Sequence, residues 1–364
     1  MRIGFDAKRA FSNNTGLGNY ARWVIRNLAR LYPQYELFLF TPTTEHPFLN
    51  EISQFNHVKI IRPSGFQRYF KSLWRTYSIS ELCIELSLDV YHGLSNELPV
   101  GMESFAGKKI VTIHDLIFLR YPNYYNNIDR YIYRKKFEYA AQISDTVLAI
   151  SQQTAQDVAQ HLAINPSKIE VRYQSCEHKL DTAAALPSNI KEPYLVCVGT
   201  IEPRKQQLNV LKAFHEANIA EMNLYFVGRK TNYANDLTNY IKSHMLEANV
   251  AILENVNNEL LASLYTHATA VVYNSEFEGF GIPALEALNY HKPLLGSTAH
   301  SIKEIGGNAA LYNEPSDVGQ LAVNMQKICS NELLRAELIE KGKKQAAQFD
   351  TEKLIHELAL VYAK

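Results

Sequence analysis

Short apolar runs alternate with helically spaced stretches through most of the chain. In the first half, strands are predicted at Arg2–Phe5, Leu37–Phe40, Val58–Ile61, Asp89–Tyr91, Ile110–Ile113 and Thr146–Ile150, with helical spacing at Asn19–Leu31 and Arg130–Ala141. That alternation predicts parallel α/β architecture. The pattern breaks near residue 180, where Lys179–Pro193 (KLDTAAALPSNIKEP) is small, polar and proline-containing, as a linker is. It resumes with strands predicted at Tyr194–Val198, Leu224–Val227, Val250–Leu253, Ala270–Tyr273 and Pro293–Gly296. The economical reading is two Rossmann-like α/β domains, 1–180 and 181–350, with a last helix at Thr351–Ala363 compatible with either domain, including a return onto the first. Open parallel sheets bind ligands at the carboxyl ends of their strands, so a cleft between two such domains is the expected site.

Composition narrows the function. A length of 364 residues suits two domains, and 37 basic against 37 acidic residues leave no overall field that favours nucleic acid. Cys83, Cys176, Cys197 and Cys329 form no CxxC pair, which argues against a disulfide framework or a zinc site. The opening MRIGFDAKRA lacks the apolar core of a signal peptide, and no apolar run reaches the roughly 18 residues of a membrane span. A cytoplasmic protein is expected, with charged ligands held by a local site.

Three motifs follow predicted strands. After the first, Gly16-Leu17-Gly18-Asn19-Tyr20-Ala21 opens a helix whose backbone N–H groups suit phosphate. The string also fits the GxGxxA of NAD-dependent oxidoreductases. Against that reading, about nine residues separate strand and glycine, and Glu36 precedes the second strand instead of ending it. In the second domain, Tyr194–Val198 runs into Gly199-Thr-Ile-Glu-Pro203-Arg204-Lys205, where Pro203 suits a first helical turn and the two cations suit a diphosphate. Further on, Ala270–Ser275 leads through Glu278, Gly279, Phe280 and Gly281 into a helix marked by Ile282-Pro283 and carrying Glu286. The amides of this loop face an anionic or hydroxyl-rich ligand, and carboxylates accept from sugar and ribose hydroxyls. Glu286 lies in an apolar stretch, so it is buried and needs a partner.

With SEFEGFGIPALEAL (Glu278 and Glu286 of a Glu-x7-Glu signature), VGTIEPRK, KPLLGSTAHSIKEIGGNAALY and TGLGNYA together, the sequence resembles glycosyltransferase family 4, with its GT-B-type fold of two Rossmann-like domains facing across a cleft. The resemblance spans nearly the whole chain and is most specific over 194–314. It implies a mannosyltransferase-like, retaining hexosyltransferase that uses a nucleotide sugar and neither metal nor cofactor, with 1–180 the acceptor-side domain and 181–350 the nucleotide-sugar donor domain. By resemblance, Arg204 and Lys205 bind the donor diphosphate, Glu286 the ribose, and Glu278 the donor-sugar hydroxyls. Gly16, Gly18, Gly279, Phe280, Gly281 and Ile282 bring backbone to phosphate and sugar, Gly228 and Val256 lie by the base, and His114 in VTIHD touches the sugar. Two departures from the family stand at Gln174-Ser175-Cys176-Glu177, in place of an Asn-Gly-Val-Asp-like turn, and at Phe349-Asp350-Thr351, in place of a tryptophan.

GDP-mannose is the leading donor by resemblance, UDP-sugars the near alternative, and a noncatalytic nucleotide-sugar-binding subunit a further class. No Asp-x-Asp motif offers a metal site. The resemblance also implies a saccharide or lipid-linked oligosaccharide as acceptor. Residues 66–80 (FQRYFKSLWRTYSIS), read as a helix, interleave Arg68, Lys71 and Arg75 with aromatic residues. They suit either packing on their own domain or peripheral contact with the inner face of a membrane. The tyrosine-rich stretch Tyr121–Tyr139 suits an acceptor groove or ordinary core.

Overall fold

A computed structural model describes residues 1–13, 15–176 and 185–364. They form two compact units, Met1–Ser175 with Asp350–Lys364, and Cys176–Phe349. The 180/181 boundary, residues 179–184 of the linker and Glu177 lie outside the described residues.

The first unit carries strands β1 (Arg2–Asp6), β2 (Glu36–Phe40), β3 (Val58–Ile61), β4 (Val90–Gly93), β5 (Lys108–Ile113), β6 (Thr146–Ala149) and β7 (Ile169–Val171). The second carries β8 (Tyr194–Val198), β9 (Asn223–Val227), β10 (Val250–Leu253), β11 (Ala270–Tyr273), β12 (Leu294–Ser297) and β13 (Ala310–Asn313). The spatial orders are β3-β2-β1-β4-β5-β6-β7 and β10-β9-β8-β11-β12-β13. Every described strand pair is parallel, with registers such as Phe5↔Leu39, Phe5↔His92 and Val196↔Tyr225. In the first sheet the order reverses between β1 and β4, and in the second between β8 and β11.

A parallel sheet covered on both faces needs apolar side chains on both faces of its central strands. Ile3 and Phe5 of β1, Val90 and Tyr91 of β4, and Tyr194, Leu195 and Val196 of β8 are accordingly buried. The helices that cover them present apolar stripes. In the Gly16–Leu31 helix, Ala21, Val24, Ile25 and Leu28 recur at helical spacing and are all buried. The first core gathers Phe40, Trp74, Tyr91 and Phe118, and the second Val210, Phe214, Phe226 and Met325.

The edge strands β7 and β13 are absent from the pattern-based strand set, because both are short and only half-buried. Glu36 begins β2, where it was expected just before the strand. The larger correction concerns residues 66–80. No single helix forms there. A 3-10 turn at Gly65–Tyr69 gives way to Lys71–Leu73, a π-helical Trp74–Ser78 and the helix Ile79–Glu85. Trp74 is buried and the Arg75 guanidinium turns inward to Asp6 and Glu97, while Phe66, Tyr69, Phe70, Leu73 and Tyr77 stay exposed. Of the Tyr121–Tyr139 stretch, Phe137 is core and Tyr131 is exposed.

The terminal helix Thr351–Ala363 belongs to the first unit. Asp350 caps it by accepting from the Lys353 N–H at 2.9 Å. Trp23 Nε1 donates to Thr351 at 3.3 Å, and Tyr32 meets His356 at 2.8 Å. Leu354, Ile355, Leu358, Val361 and Tyr362 are buried along one side, whereas Leu360 is exposed. Truncating Ile355 to alanine is expected to destabilise the first unit by about 2–5 kcal/mol. The same change at Leu360 should stay within ~0.5 kcal/mol. Equal urea-denaturation midpoints for the two variants would show that this helix does not anchor the unit.

Candidate functional site

In the second unit the predicted residues line one edge of the sheet, at the carboxyl ends of its strands. Arg204 and Lys205 follow β8, Gly228 follows β9, Val256 follows β10, and Glu278–Ile282 follow β11. Strands β8 and β11 flank the reversal in strand order, the point at which doubly wound sheets open a crevice.

Arg204 and Lys205 do not open an α-helix, as the sequence pattern predicted. Pro203 starts a 3-10 turn ending at Lys205, and the α-helix begins at Gln207 after Gln206 takes a left-handed conformation (φ +54°). The tight turn throws both cations toward the loop after β11. The Arg204 guanidinium and the Lys205 ammonium each reach Glu278 Oε1 at 2.8 Å. Arg204 also bonds the Phe277 carbonyl and Glu202. Its own carbonyl accepts from the Glu276 N–H at 2.8 Å, which ties the two loops together through backbone. Lys205 lies 5.0 Å above the Tyr273 ring and donates to that hydroxyl at 3.2 Å. Ser301 donates to the Glu278 carbonyl at 2.7 Å and fixes the loop from the far side.

Burial alone would push the Glu278 carboxyl up. Lys205 and then Arg204 outweigh it and hold it down at about 2. Burial likewise works against the Arg204 charge, but Glu278 and Glu202 raise its pKa overall. Such a buried charge cluster is weak evidence for stability, because desolvation offsets the attraction. Strongly perturbed groups at a strand-end crevice instead mark a functional site.

Glu286 lies on the Ile282–Asn289 helix, 6% exposed, and its carboxylate accepts from the Tyr265 hydroxyl. That is the partner its apolar surroundings require. Gly281 caps this helix at φ +111°, a conformation that strains any residue with a Cβ; no side chain caps the helix. The positive end of the helix therefore faces the same crevice edge. Glu202 and Ser301 lie inside the quoted motifs but are not singled out by them, and Tyr273 and Tyr265 lie outside the residues given roles. The contacts of Ser301, Tyr273 and Tyr265 come from across the fold, and that of Glu202 from Arg204 two residues on.

In the first unit, Gly16 starts its helix and Gly18 is needed for packing, since a Cβ there would lie 1.8 Å from the Asn13 carbonyl oxygen. The Gly18 N–H points at Asn13 Oδ1, 3.3 Å away, so it is less open to phosphate than the motif suggested. His114 follows β5, with its N–H on Asn96 Oδ1 at 2.7 Å and Nε2 on the Leu94 carbonyl at 2.8 Å. That contact makes Nε2 the protonated nitrogen of the neutral ring and leaves Nδ1 as the acceptor. Tyr20 of the Gly16–Leu31 helix meets the imidazole edge-on at 4.7 Å. Burial lowers the His114 pKa to about 4. The structure thus assembles Arg204, Lys205, Glu278 and the Gly281 helix in one unit, and the glycine helix and His114 in the other.

Comparison with known proteins bears on this arrangement. The model for Glycosyltransferase Family 4 matches residues 14–175, and that for Glycosyl transferases group 1 matches 179–345. The chain is 25% identical to the O-antigen chain mannosyltransferase B of Escherichia coli over 97% of each chain. It is 29% identical to the O-antigen chain mannosyltransferase RfbU of Salmonella typhimurium over 57% of each. The crystal structure of Anabaena HepE in complex with UDP and glucose shares the fold, with a TM-score of 0.75 at 16% identity, covering 100% of this chain and 99% of that one.

The depressed groups set the acid response. A carboxyl or imidazole whose pKa is lower folded than unfolded binds more protons unfolded, so its stabilisation holds above the unfolded value and fades as pH falls toward the folded one. For His114, and for His92 (lowered to about 3), the window runs down from 6.5. For Glu278 it runs from 4.5 down to about 2 and is worth on the order of 3 kcal/mol. Chemical denaturation from pH 7 to 3 should show stability falling from about pH 6.5, with Glu278→Gln flattening only the part below pH 4.5. A Glu278→Gln curve parallel to wild type throughout would contradict the ion cluster.

Proposed function

Since the chain belongs to glycosyltransferase family 4 and has the Rossmann-like domains of the GT-B fold, we propose that it transfers mannose from GDP-mannose to a saccharide or lipid-linked glycan, with retention and without a metal. The observation that carries the donor reading is the pair of cations converging on one buried carboxylate at the β8/β11 crevice. A nucleoside diphosphate arriving there takes Arg204 and Lys205 as donors through its phosphate oxygens. The Glu278 carboxylate, relieved of part of its pairing, accepts from hydroxyls of the sugar. Glu286, steadied by Tyr265, accepts from the ribose.

Reaction breaks the bond between the anomeric carbon and the phosphate oxygen while the acceptor hydroxyl bonds that carbon on the same face. The departing phosphate oxygen takes the acceptor's proton. Negative charge builds on the diphosphate as the bond breaks, and a preorganised guanidinium and ammonium stabilise it without reorganisation. The neutral His114 ring offers Nδ1 to a sugar hydroxyl. Mannose as the transferred sugar draws support from the mannosyltransferase names of the relatives. The UDP bound by the Anabaena structure favours a uridine nucleotide as the second reading.

The acceptor side adds a membrane reading. No helix among the described residues is long and apolar enough to cross a membrane. The exposed Phe66, Tyr69, Phe70 and Leu73, with exposed Arg68 and Lys71 among them, suit shallow contact with an anionic lipid surface.

Calorimetric titration with GDP, UDP, GDP-mannose and UDP-glucose in metal-free buffer should show one nucleotide family binding and Glu286→Ala weakening it. Arg204→Ala and Lys205→Ala should each lower turnover ~100-fold or more with the protein still folded. Near-normal turnover in both would remove the leaving-group assignment. In flotation, vesicles with anionic lipid should carry the protein and neutral vesicles should not; equal recovery in the unbound fraction would end the membrane reading.

A further inference from the structure

What His114 can offer a ligand depends on how its ring and backbone are held. Its N–H donates to Asn96 Oδ1 at 2.7 Å, and its carbonyl accepts from Thr154 Oγ1 at 3.2 Å. Ring Nε2 donates to the Leu94 carbonyl at 2.8 Å. Among the described residues Nδ1 has no hydrogen-bond partner, so it is the one atom of His114 left for a ligand. Three of the four polar groups of this residue are thus taken, two of them by a single loop.

That loop is Leu94-Ser95-Asn96-Glu97, which leaves β4. The chain turns so tightly there that a Cβ on Gly93 would lie 2.1 Å from the Glu97 carbonyl oxygen. The turn places Asn96 in the left-handed region at φ +65°, which asparagine enters more readily than most side chains. Asn96 then bonds β5 twice, beyond the last ladder pair Gly93↔Val111. Its N–H donates to the Thr112 carbonyl at 2.9 Å, and its Oδ1 accepts from the His114 N–H. The two bonds clasp the loop to the end of the strand, with the Leu94 carbonyl, two residues back, against Nε2. Leu94, Asn96 and Leu98 are buried, and Glu97 pairs outward with Arg75 and Lys136.

A neutral imidazole carries one proton, on either nitrogen, and the hydrogen bond at one nitrogen sets the role of the other. With no acceptor held at Nε2, the proton would be shared between the two, and Nδ1 would be an acceptor only part of the time. Tyr20 meets the ring edge-on and limits its tilt, but an edge contact does not choose between the nitrogens. The choice falls to the Leu94 carbonyl, and the position of that carbonyl to the Asn96 clasp.

We propose that Asn96 is a positioning residue for His114: its clasp of the β4 loop onto the end of β5 holds the Leu94 carbonyl on Nε2 and so keeps Nδ1 an acceptor for a hydroxyl of the donor sugar. Asn96 itself touches no substrate in this scheme and acts only through the imidazole. The proposal rests on the transferase reading for the sugar, but not for the state of the ring.

The test reads the ring directly, by nitrogen-15 NMR of the full chain labelled at histidine, with His114→Gln to identify the His114 signals. At pH 7, where burial keeps the ring neutral, wild type should carry its proton on Nε2 alone. Asn96→Gly keeps the left-handed backbone without strain and removes only the side-chain acceptor, so it should show both tautomers. Asn96→Asp, which retains an oxygen in the same place, should restore the wild-type spectrum. Turnover of the nucleotide sugar should fall about tenfold in Asn96→Gly, the scale of one lost hydrogen bond. Binding of GDP or UDP, whichever wild type binds, should not change, because the diphosphate carries no sugar. A proton on Nδ1 in wild type overturns the proposal whether or not the variants fold. An unchanged tautomer in Asn96→Gly, a changed one in Asn96→Asp, or an equal loss of diphosphate binding would do so as well. Failure of the transferase reading shows separately, as wild type that binds neither nucleotide while its His114 spectrum still follows Asn96.

Discussion

A parallel sheet sends the carboxyl ends of all its strands to one edge, and right-handed crossovers leave a crevice only where the strand order reverses. Each unit of this chain has one such reversal, and charged loops leave from the two strands that flank it. In the second unit these are the turn after β8, with Arg204 and Lys205, and the loop after β11, with Glu278. In the first they are Asp6 at the end of β1 and the loop after β4 with Glu97. Most side chains of the central strands are buried and apolar, so the charge that meets a ligand is carried by the loops at their carboxyl ends.

Burial dictates how those charges are composed. A lone carboxylate at the position of Glu278 would be driven toward its neutral form by desolvation. With a guanidinium and an ammonium on one of its oxygens it stays ionised far into acid. The inverse arrangement occurs at Arg75, one cation between two carboxylates, whose pKa is raised by Asp6 first and, against the opposing effect of burial, by Glu97. Each crevice carries cations already matched by carboxylates, which lowers the cost of holding them before a ligand arrives.

The central strands were legible because full burial leaves only apolar residues on both faces, as in Tyr194–Val198 and Ala270–Tyr273. Strands β7 and β13 were not, since an edge strand with one wet side, such as Ile169-Glu170-Val171, reads like a loop. The charged members of the donor site were legible as motifs, but their mutual geometry was not. Pro203 signalled a helical turn, yet whether that turn is 3-10 or α depends on Gln206 adopting a left-handed conformation, which no local preference of glutamine foretells. Residues 66–80 misled for a related reason. Their cation spacing fits a helix face, but Arg75 pairs inward with Asp6 and Glu97, from β1 and the β4 loop, and the segment passes through a π-turn at Trp74–Ser78, so spacing alone could not place that cation.

The return of the chain to the first unit at Asp350 is held by more than apolar packing. Tyr362 places its hydroxyl 2.7 Å from His92 Nδ1, His92 Nε2 lies 2.7 Å from Thr112 Oγ1, and that oxygen lies 3.0 Å from the Tyr20 hydroxyl. All four groups are buried, and both histidines on this path are held neutral, His92 by burial and then by the neighbouring His114. A neutral imidazole has one donor and one acceptor nitrogen, so His92 is satisfied only when hydroxyls stand on both sides. Without Tyr362 its Nδ1 would be buried and unpaired, at a cost of roughly 1–3 kcal/mol. The relay ends at Tyr20, whose ring packs edge-on against His114. The last turn of the chain thereby takes part in fixing the imidazole after β5, although it lies at the opposite end of the sequence from the glycine helix that carries Tyr20.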